Sequence, residues 1–219
     1  MAAQLTQIYY KDEQIKACYP FANLYFNEKL TIFFENTIIA QLVMASQAEK
    51  IAVCSWRLKE KMKYYIGSPR ELTPEVMNSD YQVLSFTKNT RHHQMLAAAD
   101  KWHPNFKESL KKILDACGIS MPREVKTPIY QNHFSASRET YQDYVKRYLS
   151  PCMEAMSTDT ELNKISMIDS KYSTLTNDTT LHEELERKIG IPYFPMAPFL
   201  LERLFSIYCH NENIKITCL

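Results

Sequence analysis

Asn132, His133 and Arg138 interrupt an apolar run at Pro128–Arg138, PIYQNHFSASR. Glu202 and Arg203 interrupt a second, Phe199–Tyr208, FLLERLFSIY. Polar groups in such settings cost free energy unless they are paired or used, so these two stretches are the first candidates for chemistry. Glu202 could accept a proton from a hydroxyl or receive sugar hydroxyls. A structural ion pair tying its helix to the rest of the fold explains it equally well. Adjacent helical residues diverge, so Glu202 and Arg203 are expected to find separate partners. Asn132 and His133 would point to opposite faces of a strand. For His133 a satisfied core histidine is the plainer alternative to a base.

Cationic residues follow two other apolar runs. Arg57 comes after Lys50–Ser55, KIAVCS, and Lys88–His93, KNTRHH, comes after Tyr81–Phe86. A capped helix start at Thr90 would offer free backbone N–H groups and a positive dipole end, to which Lys88 and Arg91 add full charges. That arrangement suits a diphosphate, and it equally describes a solvated basic helix start. His92 and His93 diverge on a helix and make a weak metal pair. Asp80 stands alone before the second run, a weak metal candidate, and there is no D-x-D triplet. With only Gly67, Gly118 and Gly190 in the chain, a P-loop and a G-x-G-x-x-G turn are excluded. Phosphates would have to be held by side chains and helix starts.

The elements that must position these residues alternate short β-like runs with amphipathic helices. This favours an α/β fold, helix-rich, with a small mixed or mostly parallel sheet. Lys50–Ser55, Tyr81–Phe86 and Ile129–Ala136 read as strands, and Ile8–Tyr10 as a short one. Helices are expected at about 30–44, at 74–79 after the Thr73 cap and Pro74, at 90–101, at 106–117 closed by Gly118, and from Arg138 after a Ser137 cap. Pro151 should kink or break that last helix. A charged helix at 180–188 and a buried one at 199–209 precede a final strand at 214–218. The chain reads as one domain of 219 residues. Residues 1–29 are expected to be an irregular N-terminal segment, and residues 158–197 an insertion before the C-terminal helix.

The bulk properties narrow the classes. A net charge of +1 argues against a general nucleic-acid surface. The six cysteines form no C-x-x-C pair, so reduced thiols fit better than a zinc ribbon. The opening MAAQLTQIYYKDE has no leader pattern, and no apolar run approaches a membrane span, so a cytoplasmic location is expected.

Three strands leading into polar or cationic residues suggest a shared crevice for an anionic, hydroxyl-rich ligand. In this order the pieces resemble the GT-A-type glycosyltransferases of bacterial capsular and exopolysaccharide clusters, closest to the galactosyltransferase-like group with an H-Y-R-R-Y-type motif. KIAVCSWRLKEKM, SDYQVLSF, YQNHFSASRETYQDYVKRYL and FLLERLFSIY with IKITCL carry the resemblance. The motif's histidine is replaced here by Ser55-Trp56, and only Arg57 carries over.

The resemblance implies a nucleotide-sugar donor, a carbohydrate or lipid-linked acceptor, and action at the inner face of the membrane. Mg or Mn accompanying the nucleotide sugar is left open. Arg57, Lys88 and Arg91 would then hold the diphosphate. Asn132, His133, Arg138 and Arg203 would contact substrate, and Glu202 would be the catalytic carboxylate. The alternative is a non-catalytic binding or scaffold protein of the same clusters. A nucleic-acid-binding helical domain built on KNTRHH is a weaker third.

Overall fold

In the computed structural model, residues 2–66, 71–86, 95–125, 127–129, 131–172 and 180–219 are described. The fold is α/β: a six-stranded mixed, mostly parallel sheet flanked by helices. The strands are β1 (Gln4–Tyr9), β2 (Asn23–Phe26), β3 (Lys50–Ser55), β4 (Val83–Ser85), β5 (Phe134–Ser137) and β6 (Ile216–Cys218). They lie in the order β2-β1-β3-β5-β4-β6. Only β5 runs against its neighbours, pairing Ile51 with Ala136 on one side and Leu84 with Ser135 on the other.

Alternation along β3 explains the layers. Ile51 and Val53 face a large core, and Ala52 and Cys54 face a smaller one on the opposite side. The smaller core is closed by Leu58 and Met62 of α2 (Leu58–Ile66) and by Met77 of α3 (Pro74–Met77). The larger core takes α1 (Glu35–Ala45), α4 (Met95–Trp102), α5 (Phe106–Ala116) and α6 (Arg138–Tyr144). It also takes α7 (Ser150–Thr158), α8 (Thr160–Ser166), α10 (Ala197–Leu201) and α11 (Leu204–Asn211). α9 (Thr180–Ile189) lies between α8 and α10 in sequence. Phe205 of α11 stacks on Phe134 of β5 with ring centroids 3.6 Å apart, and Tyr144 meets its edge at 4.9 Å. This aromatic contact seats the C-terminal helix on the sheet.

The strand at 50–55 forms as its pattern suggests, and so do the helix starts at Thr73-Pro74 and Ser137. Ser137 Oγ accepts from the Thr140 N–H. Pro151 does not break its helix. The backbone widens into a π-turn at Val145–Leu149 and resumes as α7, which accommodates a ring without an N–H.

Three expectations are corrected. Residues 1–29 are not irregular: β1 is an interior strand, paired in parallel with both β2 and β3. The helix expected from about residue 30 begins at Glu35. Thr31 Oγ1 accepts from the Phe33 N–H, Asn36 Nδ2 donates to the Phe33 carbonyl, and Phe34 has φ 52°. These local bonds compete with the helix. The strand expected from Ile129 begins only at Phe134. Gln131 has φ 58°, and the Ile129 backbone bonds Ser206 Oγ instead of a neighbouring strand.

Candidate active site

The chain leaves β1 toward β2 on one side and leaves β3 toward β4 on the other. A topological switch point therefore lies between β1 and β3 at their carboxyl ends, where open α/β sheets form ligand crevices. A crevice opens close by at this edge, with about 720 Å³ of space including its mouth. Ser55 ends β3 on its floor. Arg57 and Lys61 come from the start of α2, Glu35 from the start of α1, and Gln131–His133 from the lead-in to β5. Phe194, Phe199 and Glu202 close it from the C-terminal third.

Four of the residues singled out by sequence meet here: Arg57, Asn132, His133 and Glu202. Asn132 and His133 share the crevice because they precede the strand and do not alternate along it. Asn132 is fixed by its carbonyl, which accepts from Cys54 Sγ at 3.1 Å. The His133 carbonyl accepts from the Phe86 N–H at 2.9 Å. Burial, with Lys61 and Arg57 nearby, pushes the His133 imidazole down to about 3, so it is neutral at ordinary pH. Arg57 grips Glu60 through Nη2 at 3.0 Å and Nε at 3.3 Å.

Other expectations fall elsewhere. Arg138 follows the carboxyl end of β5, at the opposite edge of the sheet, and donates to the Gln47 carbonyl at 2.9 Å. The antiparallel direction of β5 carries it away from the crevice. Asp80 lies at that far edge too, exposed before β4. Lys88, Arg91, His92 and His93 lie outside the described residues. Arg203 is beside the crevice and touches Glu202, Nη1 to Oε2 at 3.4 Å, with side-chain exposures of 11% and 21%. The expected divergence fails because the pair occupies the break between α10 and α11, where ideal helical spacing does not apply. Arg203 also lies over the Phe106 ring, 5.9 Å from its centroid.

The structure adds residues that sequence reasoning passed over. Glu35 is a second carboxylate. Burial, reinforced by the Glu202 charge, pushes it up to about 7, while Tyr10 and Lys61 act in the opposite direction. Burial raises Glu202 too, and Arg203 and Lys61 oppose that rise. Lys61 donates to Gln131 Oε1 at 2.8 Å, and burial lowers its ammonium pKa. Phe34, Tyr172, Phe194 and Phe199 form an aromatic wall. Phe34 meets Phe194 edge-on at 5.7 Å, and Tyr172 bridges Phe194 at 5.1 Å and Phe199 at 5.4 Å. Glu35 carried the same signal as Glu202, a lone acid inside the oily segment LTIFFENTIIAQLV. Lys61, within KEKMK, carried none.

Two of the five non-glycine residues with positive φ among the described residues line this crevice. Phe34 has φ 52° and ψ −124°, and Gln131 has φ 58°; both line the crevice and neither is glycine. Such conformations cost on the order of 1–3 kcal/mol each and persist only where surrounding structure enforces them. Among the described residues no three His, Cys, Asp or Glu side chains gather as a metal site. Glu35 and Glu202 both line the crevice, and the Lys61 charge acts on each of them. No helix of the described residues is long and apolar enough to cross a membrane. No protein-family model, curated protein or solved structure matches this chain.

Proposed function

We propose that this protein is a glycosyltransferase that moves a sugar from a nucleotide-diphosphate donor to a carbohydrate or lipid-linked acceptor. The observation that carries the reading is the convergence of Arg57, Asn132, His133 and Glu202 with Glu35 and Lys61 in one aromatic-walled crevice at the strand ends. Aromatic rings suit the apolar face of a sugar or a base. Asn132, Gln131 and the carboxylates suit hydroxyls, and Arg57 and Lys61 suit phosphate oxygens. The motif order that resembles capsular and exopolysaccharide transferases supports the same chemistry, performed in the cytoplasm against the inner face of the membrane.

The pairing of Arg57 with Glu60 and of Glu202 with Arg203 favours a second reading, a protein of the same kind that binds without turnover. A panel of uridine, guanosine and cytidine diphospho-sugars tests both. At 100 times its Kd a true donor adds about 2.7 kcal/mol to stability and raises the melting temperature. The enzyme additionally transfers or hydrolyses that donor. Glu202→Gln should keep the fold and lose transfer. A variant that unfolds instead would make the ion pair with Arg203 purely structural, and a panel with no effect would overturn both readings.

A further inference from the structure

The two crevice carboxylates are held in different ways. Glu202 is clamped by the adjacent Arg203 guanidinium at the break between two helices. Glu35 lines the crevice at the start of α1, and the Tyr10 phenol, one residue past the end of β1, bears on its carboxyl. The residue before it, Phe34, is in a conformation that L side chains rarely adopt, and its ring belongs to the crevice wall. Across the opening Gln131 is strained too, and it holds the Lys61 ammonium. A carboxylate presented by a strained residue, supported by a phenol and open to a cavity is arranged to exchange a proton, not to neutralise a fixed cation.

We propose that Glu35 is the proton-transfer group of the crevice, that Tyr10 is its positioning residue, and that Glu202 is the standing negative charge that receives sugar hydroxyls. The inference rests on the sugar-transfer reading and divides its work between two side chains. As the acceptor hydroxyl oxygen bonds the anomeric carbon, the bond from that carbon to the diphosphate oxygen breaks, and its electron pair leaves with the nucleoside diphosphate. The hydroxyl proton passes to a Glu35 carboxylate oxygen and then to solvent.

The ionisable groups facing Glu35 set the sign of the pH response. Tyr10 comes from the end of β1, Cys54 from β3, Arg57 and Lys61 from the start of α2, His133 from the lead-in to β5, and Glu202 from the α10–α11 break. Tyr10 and Lys61 favour the carboxylate, Glu202 disfavours it, and the neutral His133 adds no charge. A base must be ionised, so turnover should rise with pH as Glu35 loses its proton. Removing the phenol moves that limb to higher pH, and removing the Glu202 charge moves the titration of the Glu35 carboxyl lower.

The test combines a carboxyl-carbon NMR titration of the full chain with turnover of whichever diphospho-sugar raises its melting temperature. The expected result is one carboxyl that titrates near neutrality, is absent in Glu35→Gln, moves up in Tyr10→Phe and moves down in Glu202→Gln. Glu35→Gln should also slow turnover about 10²–10⁴-fold while still binding the donor. The Tyr10→Phe turnover limb should follow its carboxyl. Normal turnover by Glu35→Gln, or no carboxyl titrating near neutrality, overturns this assignment and leaves the sugar-transfer reading intact. A diphospho-sugar panel that the wild type ignores overturns that reading, and this role with it.

Discussion

Glu35 and His133 sit in one crevice with pKa values displaced in opposite senses from those of free carboxyl and imidazole groups, toward about 7 and about 3. Their effects on stability also have opposite sign. Between the ordinary His value of 6.5 and about 3, the unfolded chain binds a proton that folded His133 refuses, so acid removes stability. Between the ordinary Glu value of 4.5 and about 7, folded Glu35 holds a proton that the unfolded chain has released, so rising pH removes stability. From 4.5 to 6.5 the two slopes cancel, each being at most about 1.4 kcal/mol per pH unit. Glu35→Gln should therefore lose stability relative to wild type as the pH falls through that window, and His133→Gln should lose it as the pH rises. Urea midpoints at pH 4.5, 5.5 and 6.5 check this; curves parallel to wild type would mean that neither group is displaced as described. His133 and Glu202 were visible in the sequence because each breaks an apolar run. Lys61 was not, because a lysine among lysines and glutamates on α2 looks like any solvated face, and only the fold turns it inward.

Secondary-structure signals that depend on one or two neighbouring residues were legible, and those that depend on tertiary partners were not. The Ser137 cap is the clearest local case: its hydroxyl accepts from the Thr140 N–H at 3.3 Å and bonds Thr140 Oγ1 at 2.8 Å, starting the helix that delivers Tyr141 and Tyr144 to the core. Ser137→Ala should cost about 1 kcal/mol in urea unfolding without altering the crevice, which lies at the other edge of the sheet. A loss below a few tenths would mean that Thr140 or water replaces the cap. The start of α1 was misplaced because the Thr31 and Asn36 side chains capture the backbone around Phe33, and hydrophobic spacing cannot register that. The length of β5 was overestimated for a related reason: Ser206, 77 positions away, takes both backbone groups of Ile129.

The architecture of the whole molecule depends on a segment expected to be irregular apart from a short strand at Ile8–Tyr10. β1 pairs along its length with β2 and β3, places Leu5 in the smaller core and Ile8 in the larger, and delivers Tyr10 to Glu35. Its signal was weak because it carries Gln4, Thr6 and Gln7 between its apolar residues. Gln7 is nonetheless fully buried, donating to the Ser55 carbonyl and accepting from the Tyr19 N–H. A strand that satisfies its polar side chains internally does not show the apolar run by which buried strands are recognised. Burying Leu5 and Ile8 contributes roughly 1.5–3 kcal/mol each, against a typical total of about 5–15 kcal/mol for a domain. Removing β1 would also leave β3 as an open edge and both cores uncovered on one side. A chain beginning at Leu30 should therefore show no cooperative urea transition and no near-ultraviolet circular dichroism, whereas the full chain shows both. If the shortened chain unfolded cooperatively with an intact aromatic signal, residues 2–29 would be an appendage, and the switch point between β1 and β3 could not be what forms the crevice.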